Sequence, residues 1–340
     1  MNDIRKKIWD YGRIWLLFFL ICFGLGYSGL TRFDARANNS DVIQYYQLVV
    51  NSPREASGRW RQRILVPFLA KPFYLFARGR SGNWEPVFFG LLVVNSSFCA
   101  TTVCLLLVMG KLIVPAVAPL AATIYLLNFA ITNFQLSGLV DSAEACFMMV
   151  ITWALFTQRW MWLLIAGIFG ALAKETFVPL AAVYALIWWT TAMPGEFRTT
   201  ALPWILGMIT LSLGTVTVVH STIAGITVWP WNILVAENIG TNLWQELIWC
   251  FTDQRFWYVF IWLLPFGVWR ITKLPRPWLF ASVSAALMAL VLGIFAAARG
   301  HVARPMFDVA GPILSLSAAL LLSEIVNSVT PKKKELEVDG

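Results

Sequence analysis

The sequence predicts an all-α bundle of membrane-spanning helices with no separate soluble domain. Three observations lead there. Charged residues make up 13% and hydrophobic residues 59% of the 340 positions, against roughly 25% charged in a soluble domain. Apolar runs of about 20 residues recur along the whole length, which is what a hydrocarbon core of about 30 Å demands of a helix. Lys and Arg also divide unevenly between the short connections, as they do in membrane proteins.

Hydropathy places about ten spans, near 13–30, 86–108, 112–131, 138–157, 160–174, 177–193, 201–220, 256–271, 278–297 and 306–327. The first follows a basic flank. Its apolar part is long and "GYSGLTRF" is a poor cleavage site, so it reads as a retained span and not as a removed signal peptide. The span at 160–174 is short and runs into the next through "AKET".

With the N-terminus in the cytoplasm, Arg5, Lys6, Lys7, Arg13, Lys111, Arg159, Arg198, Arg270, Lys273, Arg276 and Lys332 to Lys334 fall inside. Outside fall Lys174, Arg255, Arg299 and Arg304, plus the first loop. Residues 1–330 then form one transmembrane domain, and 331–340, "PKKKELEVDG", a charged cytoplasmic tail.

The first outer loop, 31–84, breaks the charge rule, since it holds Arg32, Arg36, Arg54, Arg59, Arg61, Arg63, Lys71, Arg78 and Arg80. A long loop can be translocated regardless of charge, and these charges can also serve to bind something anionic. Within it, 64–76 mixes aromatic and apolar residues and carries Pro67 and Pro72. That pattern predicts a broken helix lying in the interface. A second outer loop, 221–255, is rich in Trp, which suits an interfacial layer.

Composition removes several function classes. The five Cys include no CxxC pair, so neither a zinc site nor a disulfide framework is expected. Two His are too few for a multi-His metal centre. The net charge of +8 reflects lipid-facing loops, not nucleic acid.

Ionisable residues near an apolar core are costly and face a cavity or one another. Asp34 and Asp41 lie in the first outer loop, and Asp141 and Glu144 at the outer start of the fourth span. Lys174 and Glu175 lie at the outer end of the fifth, and Arg299, His301, Arg304 and Asp308 between the ninth and tenth. All fall on the extracytoplasmic side, so a polar site is expected there. Asp141 and Glu144, at i and i+3, share a helix face, though acidic residues in a first turn also complement the helix dipole. "KET" also reads as a self-satisfied ion pair, and "ARGHVARP" as a solvated loop.

In "NNSDVIQYYQLVV", Ser40 or Asn39 can cap a short helix beginning at Asp41. Asp41 and Tyr45 then share a face. The positive helix end keeps Asp41 ionised, able to accept a proton from a hydroxyl or to hold a divalent cation. Asp34 is the rival carboxylate.

Three stretches resemble one family. "SDVIQYY…RWRQRILVPFLA" is similar to the first outer loop of bacterial GT-C-type membrane glycosyltransferases, "GALAKETFVPLAAVYAL" to their mid-chain segment, and "ARPMFDVAGPILSLSAAL" to their last span. The resemblance implies a GT-C-like fold in a bacterial inner membrane. It also implies inverting transfer of a sugar from a polyprenyl-phosphate carrier at the extracytoplasmic face. By position, Asp41 would be the base or a metal ligand, and Arg63, Lys174 and Arg304 would hold the lipid phosphate. Tyr45, Arg61, Asp141, Glu144, Glu175, Arg299 and His301 complete the expected substrate-binding set. The partners are then the lipid-linked sugar and membrane lipids, with the sugar, the acceptor and any divalent cation left open. Two other classes compete. One is a transporter or flippase of an anionic lipid or solute, which places charges near the midplane of repeated halves. The other is a non-catalytic subunit of a membrane complex. The sequence has no visible repeat, and its charges gather at one face.

Overall fold

In the computed structural model the chain is helical, with no strand among the described residues, which are 2–32, 40–51, 53, 59–79, 85–192, 196–229, 243–295 and 302–329. The first helices are α1 (Asn2–Arg32), α2 (Ser40–Val50), α3 (Leu65–Ala77), α4 (Pro86–Ile113) and α5 (Ala118–Leu126). Next come α6 (Asp141–Thr157), α7 (Met161–Ala173), α8 (Phe177–Thr191) and α9 (Glu196–Ala224). The last five are α10 (Leu243–Thr252), α11 (Gln254–Phe260), α12 (Leu263–Trp269), α13 (Arg276–Phe295) and α14 (Ala303–Val329).

Five helices are long and apolar enough to cross a membrane: Trp9–Tyr27 in α1, α4, Thr199–Ala224 in α9, α13, and Ala303–Ser328 in α14. These properties are those of an integral membrane protein. The share of each span buried by other helices ranks them. It is 61% for α4 and α14 and 11% for α1, so α4 and α14 are central and α1 is peripheral. α4 packs on α1, α3, α5 and α6, while α14 packs on α5, α6, α12 and α13. α7 lies on α9, and α8 on α13.

Two expected spans are divided. In 112–131, Pro115 ends α4 at an extended Val114, and α5 runs only nine residues. It stops because Asn128 takes over backbone roles: its side-chain oxygen accepts from the Ala130 N–H at 2.9 Å, and its amide donates to the Val259 carbonyl at 3.0 Å. A π turn, Ile131–Gln135, follows. The span expected at 256–271 is split into α11 and α12 at Ile261 and Trp262. Pro265 explains the break, because its ring crowds the carbonyl four residues earlier, that of Ile261.

The helix expected to be broken within 64–76 is instead continuous as α3. Pro67 falls in its first turn, where an amide hydrogen has no partner in any case, and Pro72 removes a single bond on an exposed face. α3 is pressed closely onto α4: a Cβ added at Gly90 would come within 2.6 Å of the Ala70 carbonyl. Its other face leaves Phe68 and Phe76 largely exposed, at 72% and 65%.

Two features place the functional end. α7 has 13 residues and α8 has 15, about 20 Å each at 1.5 Å per residue, short of a 30 Å crossing. Their link, Lys174–Thr176, is therefore held against the bundle, with Lys174 buried. Gly170 closes this hairpin, since any side chain there would strike the ring of Phe177. Meanwhile α2 buries Val42, Tyr45, Leu48 and Val49, a helical spacing, against Leu65 and Val66 of α3, Leu91 of α4 and Val140 before α6. A fully buried side chain of this size contributes about 1.5–3 kcal/mol, so α2 is seated firmly, with Asp41 at its start.

Candidate functional site

The first turn of α6, the α7–α8 link, the start of α14 and the segment from α2 to residue 63 meet at one end of the bundle. Asp141 and Glu144 open α6, beside the positive end of its dipole. Asn95 of α4 fixes the approach: its amide donates to the Leu139 carbonyl at 2.9 Å, and its side-chain oxygen accepts from the Ser142 hydroxyl at 2.6 Å. From the other side, α7 ends at Lys174 in extended backbone. The ammonium donates to Asp141 Oδ1 at 2.7 Å and to Glu144 Oε2 at 2.5 Å. The Thr176 hydroxyl donates to Glu144 Oε1 at 2.7 Å. All three charged groups are buried. Taking an ion out of water costs several kcal/mol, so each is stable here only through the others.

Arg304, in the first turn of α14, reaches Asp41 Oδ2 with Nη1 at 3.3 Å, and that nitrogen lies 3.9 Å from Asp141 Oδ2. The Trp60 indole donates to Asp41 Oδ1 at 3.1 Å. The guanidinium also sits 5.2 Å from the centre of the Phe134 ring, a cation–π contact. A charge-assisted bond is usually about 2.7–2.9 Å, so the bond to Asp41 is a long one. The buried Nε of Arg304 has no hydrogen-bond partner. Arg304 therefore retains unused donor capacity.

Arg63 grips both carboxylate oxygens of Glu175, through Nη2 and through Nε at 2.8 Å, and donates to the Tyr45 hydroxyl at 2.8 Å. Burial pushes the Tyr45 hydroxyl up to about 12, so it accepts that bond as a neutral phenol. Burial also works against charge on Glu175, but the Arg63 guanidinium outweighs it and holds the carboxyl at about 2, below its ordinary 4.5.

That shift has a sign. The folded value lies below the unfolded one, so the pair stabilises fully above the ordinary value and loses this as pH falls toward the folded one. The gap in thermal stability between the wild type and Glu175→Gln should shrink between about pH 5 and about pH 3. A gap constant over that range would contradict the pairing.

Asp308, one turn after Arg304, accepts from Gln135 Nε2 at 3.0 Å, while its Oδ2 is buried without a hydrogen-bond partner. One oxygen from each of Asp141, Glu144 and Asp308 lies within 4.8 Å of the others. This trio could hold a cation, and the Lys174 ammonium already contacts two of its members.

Asp41, Tyr45, Arg63, Asp141, Glu144, Lys174, Glu175 and Arg304 are thus brought together. Arg61 lies on the same turn as Trp60. Arg299, His301 and Asp34 lie outside the described residues. Sequence reasoning left out Trp60, Phe134, Gln135 and Thr176, and it placed Asp308 at the outer face without counting it in the substrate-binding set. The i, i+4 spacing of Arg304 and Asp308 was a usable signal for including it; Trp60 and Gln135 had none. Of the three cations expected to hold a lipid phosphate, Arg63 and Lys174 are each paired with carboxylates, and Arg304 keeps a donor without a partner. Comparison with protein-family models, curated proteins and solved structures finds no match.

Proposed function

We propose that the chain is a GT-C-like glycosyltransferase of about ten spans. In this reading it moves a sugar from a polyprenyl-phosphate carrier to an acceptor hydroxyl at the extracytoplasmic face of a bacterial inner membrane. The observation that supports this most is the contact between Asp41 and Arg304. A half-buried carboxylate following the first span accepts from the Trp60 indole and, over a longer distance, from an arginine whose buried Nε is unused.

A phosphate arriving at Arg304 offers shorter, bidentate contacts than Asp41 does and so releases the carboxylate. Asp41, still held by Trp60, accepts the proton of the acceptor hydroxyl as its oxygen attacks the anomeric carbon. The bond from that carbon to the phosphate oxygen breaks. Its electron pair stays on the phosphate, where the arginine takes up the developing charge. Attack opposite the leaving group inverts the anomeric configuration. Lys174, Asp141 and Glu144 stay paired and hold the α6 and α7 ends in place. The exposed apolar face of α3 offers a surface to the prenyl tail.

The test is transfer itself. Proteoliposomes of the purified chain are supplied with polyprenyl-phosphate sugars labelled in the sugar and with membrane extract as acceptor. Label should leave the lipid with inversion; label that stays there for every donor supplied would sink the reading. Orientation is tested separately. Topology reporters fused at Ser52 and at Val338 should report opposite sides of the membrane, extracytoplasmic for Ser52. Both on one side would contradict the placement.

A further inference from the structure

Three of the cations at this end are matched: Arg63 by Glu175, Lys174 by Asp141 and Glu144, and Arg304 by Asp41. Arg61 differs. It lies in the 3-10 turn Arg59–Gln62, between Trp60, which holds Asp41, and Arg63, which holds Glu175. Its Nε is buried without a hydrogen-bond partner, and no carboxylate pairs with it among the described residues. The turn packs on α9. Near the end of that helix stands His220, only 6% exposed and within electrostatic reach of both Arg61 and Glu175.

We propose that Arg61 and His220 form an oxyanion subsite beside the paired charges, and that it takes a phosphate ester. A partly desolvated guanidinium without a counter-ion is costly, and a bound oxyanion removes that cost. The planar fork of Arg matches phosphate oxygens in a way a point charge does not, and an imidazole N–H supplies a further donor. Glu175, the nearby acid, is neutralised by Arg63, so it does not repel the ligand. The subsite gives the substrates two separate anion holders, Arg304 at the leaving phosphate and Arg61 with His220 at a second group. Binding there stands on its own, whereas its part in the reaction rests on the transferase reading.

The full chain in maltoside micelles is titrated calorimetrically with inorganic phosphate and, separately, with dodecyl phosphate. The wild type should bind at least one of them. Arg61→Gln and His220→Gln should each weaken that binding by about tenfold or more, the size of one lost charge-assisted contact. Arg78→Gln, at an exposed cation, should not. Arg61→Lys keeps the charge and guards against misfolding; it too should weaken binding, with an unchanged unfolding temperature. Much tighter binding of the dodecyl ester identifies a lipid headgroup as the ligand, and similar affinities identify a free phosphate; either supports the site. Failure of both probes to bind, or affinities unmoved by the Arg61 and His220 variants, overturns it. If those affinities are unmoved while lipid-linked sugar is still turned over, the transferase reading survives alone. If they are lost while the wild type transfers nothing, the subsite stands and that reading falls.

Discussion

Asp41→Asn should lower sugar transfer by roughly 10²–10⁴-fold, the range typical of a positioned acid–base group, while leaving the protein folded. The amide can still accept the Trp60 bond but cannot take the acceptor's proton. The asparagine side-chain oxygen can also still accept from Arg304, so the guanidinium keeps a hydrogen-bond partner and the fold is held. Asp34→Asn should be mild. Transfer rates and thermal unfolding of both purified variants check this. A normal rate in Asp41→Asn, or a dead Asp34→Asn, would move the proton acceptor elsewhere.

Lys174→Met should destabilise the protein by about 3–5 kcal/mol, because removing one partner of a buried ion pair strands the rest. Here two carboxylates are stranded, Asp141 and the fully buried Glu144. Lys174→Met combined with Glu144→Gln should recover part of that loss, since one stranded charge is gone and the glutamine can keep the Thr176 bond. Chemical denaturation of the two single variants and the double variant measures the coupling. Strict additivity would show that the short distances to Lys174 carry no energy.

The sequence made the helical class and most helix positions legible, because apolar runs of the right length have few alternatives. It also made Asp141, Glu144 and Lys174 legible as polar residues set in apolar surroundings. What it hid was partnership. "KET" read as a local pair, but Lys174 bonds to α6 and Glu175 to Arg63, so adjacent residues serve different partners. Proline misled in both directions: Pro67 and Pro72 suggested a break in α3 that helix-start geometry tolerates, whereas Pro265 divides a span that hydropathy alone reads as continuous. Trp60 and Gln135 join the site only through contacts over 19 and 173 residues of chain, with Asp41 and Asp308. No local spacing reveals such contacts.

Transfer by this route depends on an exchange at Arg304, in which phosphate replaces Asp41. The most direct test is a cryo-electron microscopy structure of the chain in lipid nanodiscs with a short-chain prenyl phosphate. The predicted result is phosphate oxygens within hydrogen-bond reach of Arg304, with the Arg304–Asp41 contact opened and Asp41 still held by Trp60. Phosphate bound at another face of the bundle, with Arg304 still on Asp41, would contradict it.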